Sequence, residues 1–180
     1  MFIVHGLPGS GKTTLTRALA TTLGDDSCTA FDFDDVMPAE LKARMSKGDI
    51  IRPDERDALI AMVIATLTQR IATHHVAAAC VLVAPKHRAM LCKAFPRHTF
   101  IHLAAPLEVL KARTQQRLAD GGSKHFFNPA ALERLHAVDA PVLLPHSKVD
   151  ATLPADAVLS KVMDIATAAL GSKQQATTKK

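Results

Sequence analysis

The chain has 180 residues, 48% of them hydrophobic, so it is long enough for one domain with a substantial core. Its net charge of +5 is small and scattered, which suits anionic nucleotides and gives no support for a nucleic-acid surface. No apolar run is long enough to span a bilayer, and because the first residues lead directly into a strand we expect no signal peptide. The three cysteines lack C-x-x-C spacing, which favours reduced thiols in a cytoplasmic protein.

A glycine-rich segment follows the first predicted strand, 2–5. GLPGSGKT (6–13) has the spacing G-x-x-x-x-G-K-T. Backbone N–H groups in such a turn surround a phosphate, Lys12 supplies charge for the β- and γ-phosphates, and Thr13 offers a hydroxyl to Mg²⁺. The leucines that follow recur at helical spacing, so a helix over 12–23 points its positive end at the same phosphate. The segment predicts a site for ATP or a similar nucleotide, formed by Gly9, Ser10, Gly11, Lys12, Thr13 and Thr14.

Strands and helices alternate along the rest of the chain. The predicted elements are strands at 2–5, 28–33, 77–85, 99–103 and 141–145, and helices at 12–23, 38–48, 53–75, 86–95, 106–119, 129–138 and 155–170. The third strand is apolar throughout, as in a parallel sheet that is buried on both faces. The alternation therefore predicts an α/β fold with helices on both sides of a parallel sheet. Residues 1–170 are expected to form one domain and 171–180 a disordered, solvated tail.

Acidic residues follow the second predicted strand, in the order Phe31-Asp32-Phe33-Asp34-Asp35. Side chains alternate along a strand, so Asp32 and Asp34 are expected on one face, near the γ-phosphate. One acid can help to order Mg²⁺, and the other can accept a proton from an attacking hydroxyl. The pattern lacks the acid at the end of an apolar strand that is usual in motor ATPases, and the D-x-x-G of GTPases. Solvated strand-end acids are the alternative interpretation, but the phosphate loop upstream favours catalysis.

The segment FDFDDVMPAELKARMSKGDIIRPDERDALI (31–60) resembles the gluconate kinases, which have D-x-D, a proline, a helix, M-x-x-G and D-D-x-R in this order. The matching positions are Asp32, Asp34, Pro38, Met45, Gly48, Asp54 and Arg56. Pro85-Lys86-His87-Arg88 resembles the family's K-x-x-Y-R-D segment, and Lys124-His125-Phe126-Phe127 resembles G-H-F in its lid. The resemblance covers roughly residues 2–158. It implies the P-loop fold of nucleoside-monophosphate and shikimate kinases, a three-layer sandwich with a five-stranded parallel sheet of order 2-3-1-4-5.

The resemblance also implies roles for individual residues. Asp34 is the candidate base and Asp32, with Thr13, the candidate ligand of Mg²⁺. Acceptor-binding roles fall to Asp34, Arg56, Arg88 and His125. Arg113 and Arg117 come before LADGGSKHFF (118–127), part of a lid over about 114–128, and would bind ATP, with Lys12 and Arg117 neutralising charge during transfer. The family topology further implies that 147–150 forms a loop over the adenine edge.

The chain departs from the family pattern where the acceptor is expected to bind. Met37 stands for a histidine, Leu41 for an asparagine and Leu59 for a tryptophan, and an S-Q pair near Arg134 is absent. Because Met37 and Leu41 are expected to face the acceptor, gluconate itself is predicted to be a poor substrate.

Three functions are compatible with these motifs. The first is an ATP-dependent kinase of a small polyhydroxylated acceptor, a gluconate-like sugar acid first. The second is a kinase of a cyclitol, an aminocyclitol or a nucleoside-like alcohol, and the third is a regulatory nucleotide-binding domain with no acceptor. A polynucleotide kinase is disfavoured because the chain lacks a strong basic stripe. We expect a small-molecule acceptor as the partner, no nucleic acid and no membrane, and a homodimer is left open.

Overall fold

The structure is a computed structural model that describes residues 1–24, 26–120 and 129–177. The strands are β1 (Phe2–His5), β2 (Cys28–Asp32), β3 (His75–Cys80), β4 (Thr99–Ala104) and β5 (Ser147–Asp150). The helices are α1 (Lys12–Leu23), α2 (Ala39–Ser46), α3 (Pro53–Arg70), α4 (Pro85–Ala94), α5 (Leu107–Ala119), α6 (Pro129–Val138) and α7 (Ala155–Thr177). A short 3₁₀ turn, Phe33–Val36, follows β2.

The five strands form one parallel sheet in the order β2-β3-β1-β4-β5, which confirms the predicted fold. The central strand, β1, is buried along its whole length. Its residues alternate between two apolar layers: Ile3 packs with α3 and α4, whereas Phe2 and Val4 pack with α1 and α7. Helices therefore cover both faces of the sheet, and the carboxyl ends of the strands share one edge, where ligands bind in such folds.

The last predicted strand differs from the structure. The strand predicted at 141–145 is absent, and the edge strand is instead β5, which pairs with Ile101–Ala104 of β4. Pro141 and Pro145 lack the N–H groups that a ladder needs, which disfavours a strand between them. Residues 147–150 are therefore not the adenine loop that the resemblance implied.

The last helix is also longer than predicted. The predicted tail begins at 171, but α7 continues through Thr177. Alanine, lysine and glutamine in this stretch favour helix, which outweighs the cost of the single Gly171. In the part of the chain that the structure describes, no helix combines the length and apolar character needed to cross a membrane.

Candidate active site

The phosphate loop lies between β1 and α1, as predicted. Gly9 and Gly11 have φ values of 86° and 88°, which other residues rarely adopt. A Cβ on Gly9 would lie 2.8 Å from the carbonyl oxygen of Leu110, so this glycine also allows close packing against α5. Ser10 Oγ is buried and has no hydrogen-bond partner among the described residues, and Lys12 Nζ donates to the Leu7 carbonyl at 3.1 Å. The loop thus has the polar groups and the backbone shape that a phosphate needs.

A cavity of about 340 Å³ lies over this loop. The loop and α1 contribute Gly9, Gly11, Lys12, Thr13 and Thr14 to its lining. The acids at and after the end of β2, the end of β3, and Thr114 and Arg117 of α5 also line it. The cavity therefore brings the predicted nucleotide-binding residues and the predicted catalytic acids into one space.

Asp32 is fixed between the loop and the 3₁₀ turn. Thr13 Oγ1 donates to its Oδ2 at 2.6 Å, and the backbone N–H of Asp34 donates to its Oδ1 at 3.1 Å. Oxygen ligands of this kind suit Mg²⁺, which usually keeps several waters and takes the rest of its ligands from phosphates. Thr13 and Asp32 fit the magnesium site that the sequence predicts.

The bond from Asp34 N to Asp32 also ends the strand. Asp32 is the last residue of β2, so Asp34 does not alternate along a strand with it, and that argument from the sequence is wrong. Asp34 still lines the cavity because the 3₁₀ turn carries it there. A carboxylate that caps its own turn is a common local competitor of strand structure.

Asp34 and Lys12 each shift the pKa of the other. Burial, followed by the charge of Asp32, raises the pKa of Asp34 to about 6, and Lys12 opposes this rise. Burial lowers the pKa of Lys12, whereas Asp34 and Asp32 raise it. A carboxyl with a pKa close to the working pH is suited to accept a proton from a hydroxyl, since it is ionised at neutral pH yet still basic.

The two arginines of α5 have different surroundings. Arg117 lines the cavity, and its charge contributes to the lowered pKa of Lys12. Arg113 Nη1 donates to the carbonyl of Ala151 at 2.8 Å and to that of Gly9 at 3.5 Å. Arg113 therefore ties the phosphate loop to the segment after β5, and its contact with ATP stays a prediction.

Arg88 is not available to an acceptor. Its side chain is 1% exposed, and its guanidinium donates to the Leu82 carbonyl at 2.6 Å, the Pro141 carbonyl at 2.8 Å and Asp139 Oδ1 at 2.8 Å. These bonds hold the start of α4 against the segment after α6. The predicted acceptor-binding role of Arg88 is therefore wrong, because the buried side chain is committed to protein groups.

Arg56 remains a candidate for binding the acceptor. It is 7% exposed, and its one hydrogen bond in the described part of the structure is a long one, 3.4 Å from Nη1 to the Val81 carbonyl. Burial lowers the pKa of Arg56, and no described carboxylate forms an ion pair with it. Val81 lines the cavity and Arg56 itself does not, so Arg56 is a nearly unpaired cation bonded to a lining residue.

Met37 and Leu41 are not among the residues that line the cavity. They are buried in an apolar cluster with Met45, Ile51 and Leu59, where α2 packs against α3. The expectation that they face the acceptor is therefore wrong, because their side chains pack against this cluster. His125 and Lys124, like the rest of the predicted lid after Asp120, lie outside the described residues.

Arg17 is one of the pocket residues that the sequence analysis missed. Arg17 lines the cavity and follows Thr13 by four residues on α1. Residues separated by four positions share a helix face, so the spacing from the phosphate loop could have revealed it.

Comparison with known proteins identifies the family. The model of a family described as "AAA domain" (AAA_33) matches residues 1–141. The chain belongs to this family. A curated relative, "Probable gluconokinase" of Dictyostelium discoideum, is 27% identical over 141 residues, which are 74% of this chain and 66% of the relative. The chain thus spans about two thirds of that relative's length.

Solved structures agree on the fold. A gluconokinase from Sinorhizobium meliloti 1021 matches with a TM-score of 0.79 and 22% identity, over 97% of this chain and 95% of that one. A sugar kinase from Janibacter sp. HTCC2649 matches with a TM-score of 0.76 and 23% identity, over 93% and 96%. APS kinase of Mycobacterium tuberculosis, solved with AMPPNP and APS, has a TM-score of 0.62 and 17% identity, over 92% and 96%. The predicted resemblance to gluconate kinases and related P-loop kinases is confirmed.

Proposed function

We propose that the protein is an ATP-dependent kinase that transfers the γ-phosphoryl group to a hydroxyl of a small polyhydroxylated acceptor, a gluconate-like sugar acid first. One observation carries the proposal: a phosphate loop and a carboxyl with a pKa of about 6 face the same cavity. The similarity to a probable gluconokinase and to sugar kinase structures supports it. A regulatory domain without an acceptor would have no use for a proton acceptor in this position.

The residues divide the reaction between them. ATP supplies the γ-phosphoryl group, and Mg²⁺ would be held by Thr13 and Asp32 through oxygen ligands. Asp34 takes the proton of the acceptor hydroxyl. Lys12 and Arg117, two of the cations that line the cavity, neutralise the charge that develops on the transferred group.

Arg56 supports an acid over a neutral acceptor. A buried guanidinium with one weak bond is costly unless an anion pairs with it, and its planar fork suits a carboxylate. A cyclitol would leave the charge of Arg56 unpaired.

The three unpaired cysteines, two of them buried, fit the cytoplasmic location that we propose.

A coupled assay of ATP turnover tests the proposal. The assay compares ADP release with no acceptor and with added aldonic acids, uronic acids, aldoses, cyclitols and nucleosides. We expect turnover to depend on an acid and to disappear in the Lys12→Ala variant, because Lys12 contributes to phosphate binding and not to the core. Turnover that needs no acceptor, or that is highest with a cyclitol or a nucleoside, would contradict the proposal.

A further inference from the structure

A buried histidine lies directly before the phosphate loop. His5 is the last residue of β1 and is 0% exposed. Its Nδ1 accepts a hydrogen bond from the backbone N–H of Leu82 at 3.2 Å. Its ring packs beside those of Phe100 and His102 on β4, with centroids 5.9 Å and 5.1 Å away. A polar side chain in the centre of a parallel sheet costs free energy unless it is hydrogen-bonded, so the bond to Leu82 is what makes a histidine acceptable here.

Only one nitrogen of this ring forms a hydrogen bond in the described part of the structure. Burial, followed by the charge of Arg88, lowers the pKa of His5, so the ring is neutral at pH 7. Because Nδ1 accepts, Nε2 carries the proton. Asp139 Oδ1 lies 4.0 Å from Nε2, which is too far for a hydrogen bond. A substitution of the ring therefore removes a single hydrogen bond, the one to Leu82.

The bond continues the connection between two strands past the end of their ladder. β1 pairs with β3 as far as His5 and Cys80, since the chain enters the phosphate loop at Gly6. The N–H of Leu82, two residues beyond Cys80, meets the imidazole of His5 instead of a backbone carbonyl of β1. The side chain thus replaces the backbone acceptor that the strand no longer provides.

Leu82 lies in a segment that side chains hold in place. Residues 81–83 follow β3 and belong to no strand or helix. Arg88 donates to the carbonyl of Leu82 at 2.6 Å, whereas His5 accepts from its N–H. Both backbone groups of this buried residue are therefore satisfied by buried side chains. Without His5, the N–H would be left without an acceptor.

The same segment carries groups at the acceptor end of the cavity. Val81 lines the cavity, and its carbonyl accepts the hydrogen bond from Arg56. A movement of Leu82 would shift the adjacent Val81 and, with it, the partner of Arg56. His5 therefore contacts both ends of the cavity, because its backbone leads into the phosphate loop and its side chain holds the segment beside the acceptor.

We propose that His5 is a positioning residue for phosphoryl transfer, which fixes the segment 81–83 through Leu82 and thereby sets the place of the acceptor relative to the phosphate loop. The inference rests on the proposed kinase function and deepens it, since it names a residue that aligns the two substrates without contacting either. A misplacement of about 1 Å can lower the rate roughly 100-fold, so one hydrogen bond at this position matters to the reaction.

Two substitutions of His5 differ in this hydrogen bond. His5→Phe keeps a ring of similar size beside Phe100 and His102 and removes Nδ1, so the N–H of Leu82 loses its acceptor. His5→Asn removes the ring but places an amide oxygen near the position of Nδ1, so an acceptor remains. Val162→Ala is the control, because Val162 is buried in the apolar layer with α1 and α7 and is not among the residues that line the cavity.

The measurements are Tm, the KM of ATP, and kcat/KM for the acceptor that the wild-type enzyme uses best. We expect His5→Phe to lower kcat/KM for the acceptor roughly 10- to 100-fold, with the KM of ATP unchanged. His5→Asn should be less stable than His5→Phe, because loss of the ring leaves a cavity, yet it should retain more of kcat/KM. Val162→Ala should lower Tm and leave both kinetic constants unchanged.

Activity that simply follows Tm overturns the inference. If His5→Phe has the kcat/KM of the wild type, or if His5→Asn is no more active than His5→Phe, His5 only packs within the sheet, and the kinase proposal stands without it. If the wild-type enzyme phosphorylates no acceptor, the kinase proposal fails, and the inference fails with it.

Discussion

The two ends of the cavity are built in different ways. The nucleotide end comes from one continuous segment, since the loop of residues 6–13 and the start of α1 supply the phosphate-binding groups. The acceptor end is assembled from the 3₁₀ turn after β2, from the end of β3 and, through the bond of Arg56 to Val81, from α3, which are far apart in the sequence. A contiguous motif fixes its own geometry, whereas an assembled site depends on how each helix is rotated against the sheet.

The first way to sharpen this comparison is Asp34→Asn, at the point where the two ends meet. Without a proton acceptor, turnover should fall about 10²- to 10⁴-fold, with ATP still bound.

Because the pKa of Asp34 is raised in the folded state, Asp34 favours the folded state below pH 4, and this contribution to stability is lost as the pH rises through about 6. The variant should therefore be more stable than the wild type above pH 6, by at most about 3 kcal/mol. Steady-state kinetics and urea unfolding at pH 5 and pH 8 check both parts; near-normal turnover would remove Asp34 from the mechanism.

The second test sets the two arginines of the acceptor region against each other. Arg56→Met should raise the KM of an acid roughly 10- to 150-fold, because a charged hydrogen bond is worth about 1.5–3 kcal/mol, and should change stability little. Arg88→Met should leave the half-buried Asp139 without its arginine partner and cost about 3–5 kcal/mol of stability. KM values for both substrates and the free energy of unfolding distinguish the variants. An Arg88→Met protein of normal stability with a raised acceptor KM would restore the role that the sequence predicted.

The third test concerns the apolar cluster under the acceptor end. Met37→His with Leu41→Asn puts two polar groups among Met45, Ile51 and Leu59, at a cost of about 1–3 kcal/mol each. Because both side chains face this cluster, we expect lower stability and no gain in kcat/KM for gluconate. A clear gain for gluconate, measured beside a second acid as control, would mean that these positions do reach the acceptor.

What the sequence could predict follows the same division. The phosphate loop, the pairing of Thr13 with Asp32 and the strand order were accessible, because a local motif and a family resemblance carry them. The orientation of α4 was not: the resemblance matched Arg88 to a family arginine, but only the structure shows that its guanidinium bonds to Leu82, Pro141 and Asp139. The cluster around Met37 was also missed. An apolar residue in place of a polar one can either line a site or pack in the core, and the sequence does not distinguish the two.

The edge strand illustrates a different limit. PVLLP has the composition of a strand and SKVD does not, yet SKVD pairs with β4. Hydrogen bonding along an edge depends on available N–H groups and not on hydrophobicity, and the prolines at 141 and 145 remove them. The propensity scale ranked the two segments in the wrong order because it measures side-chain packing.

The most direct measurement of the central claim is the pH dependence of kcat/KM for the acceptor, with ATP saturating. If Asp34 accepts the proton of the acceptor hydroxyl, kcat/KM should fall about ten-fold per pH unit below about 6 and be level from pH 7 to 8, with an apparent pKa near 6. The Asp34→Asn variant should lack this limb. A wild-type profile that is flat from pH 5 to 8, or a limb that persists in the variant, would contradict the account.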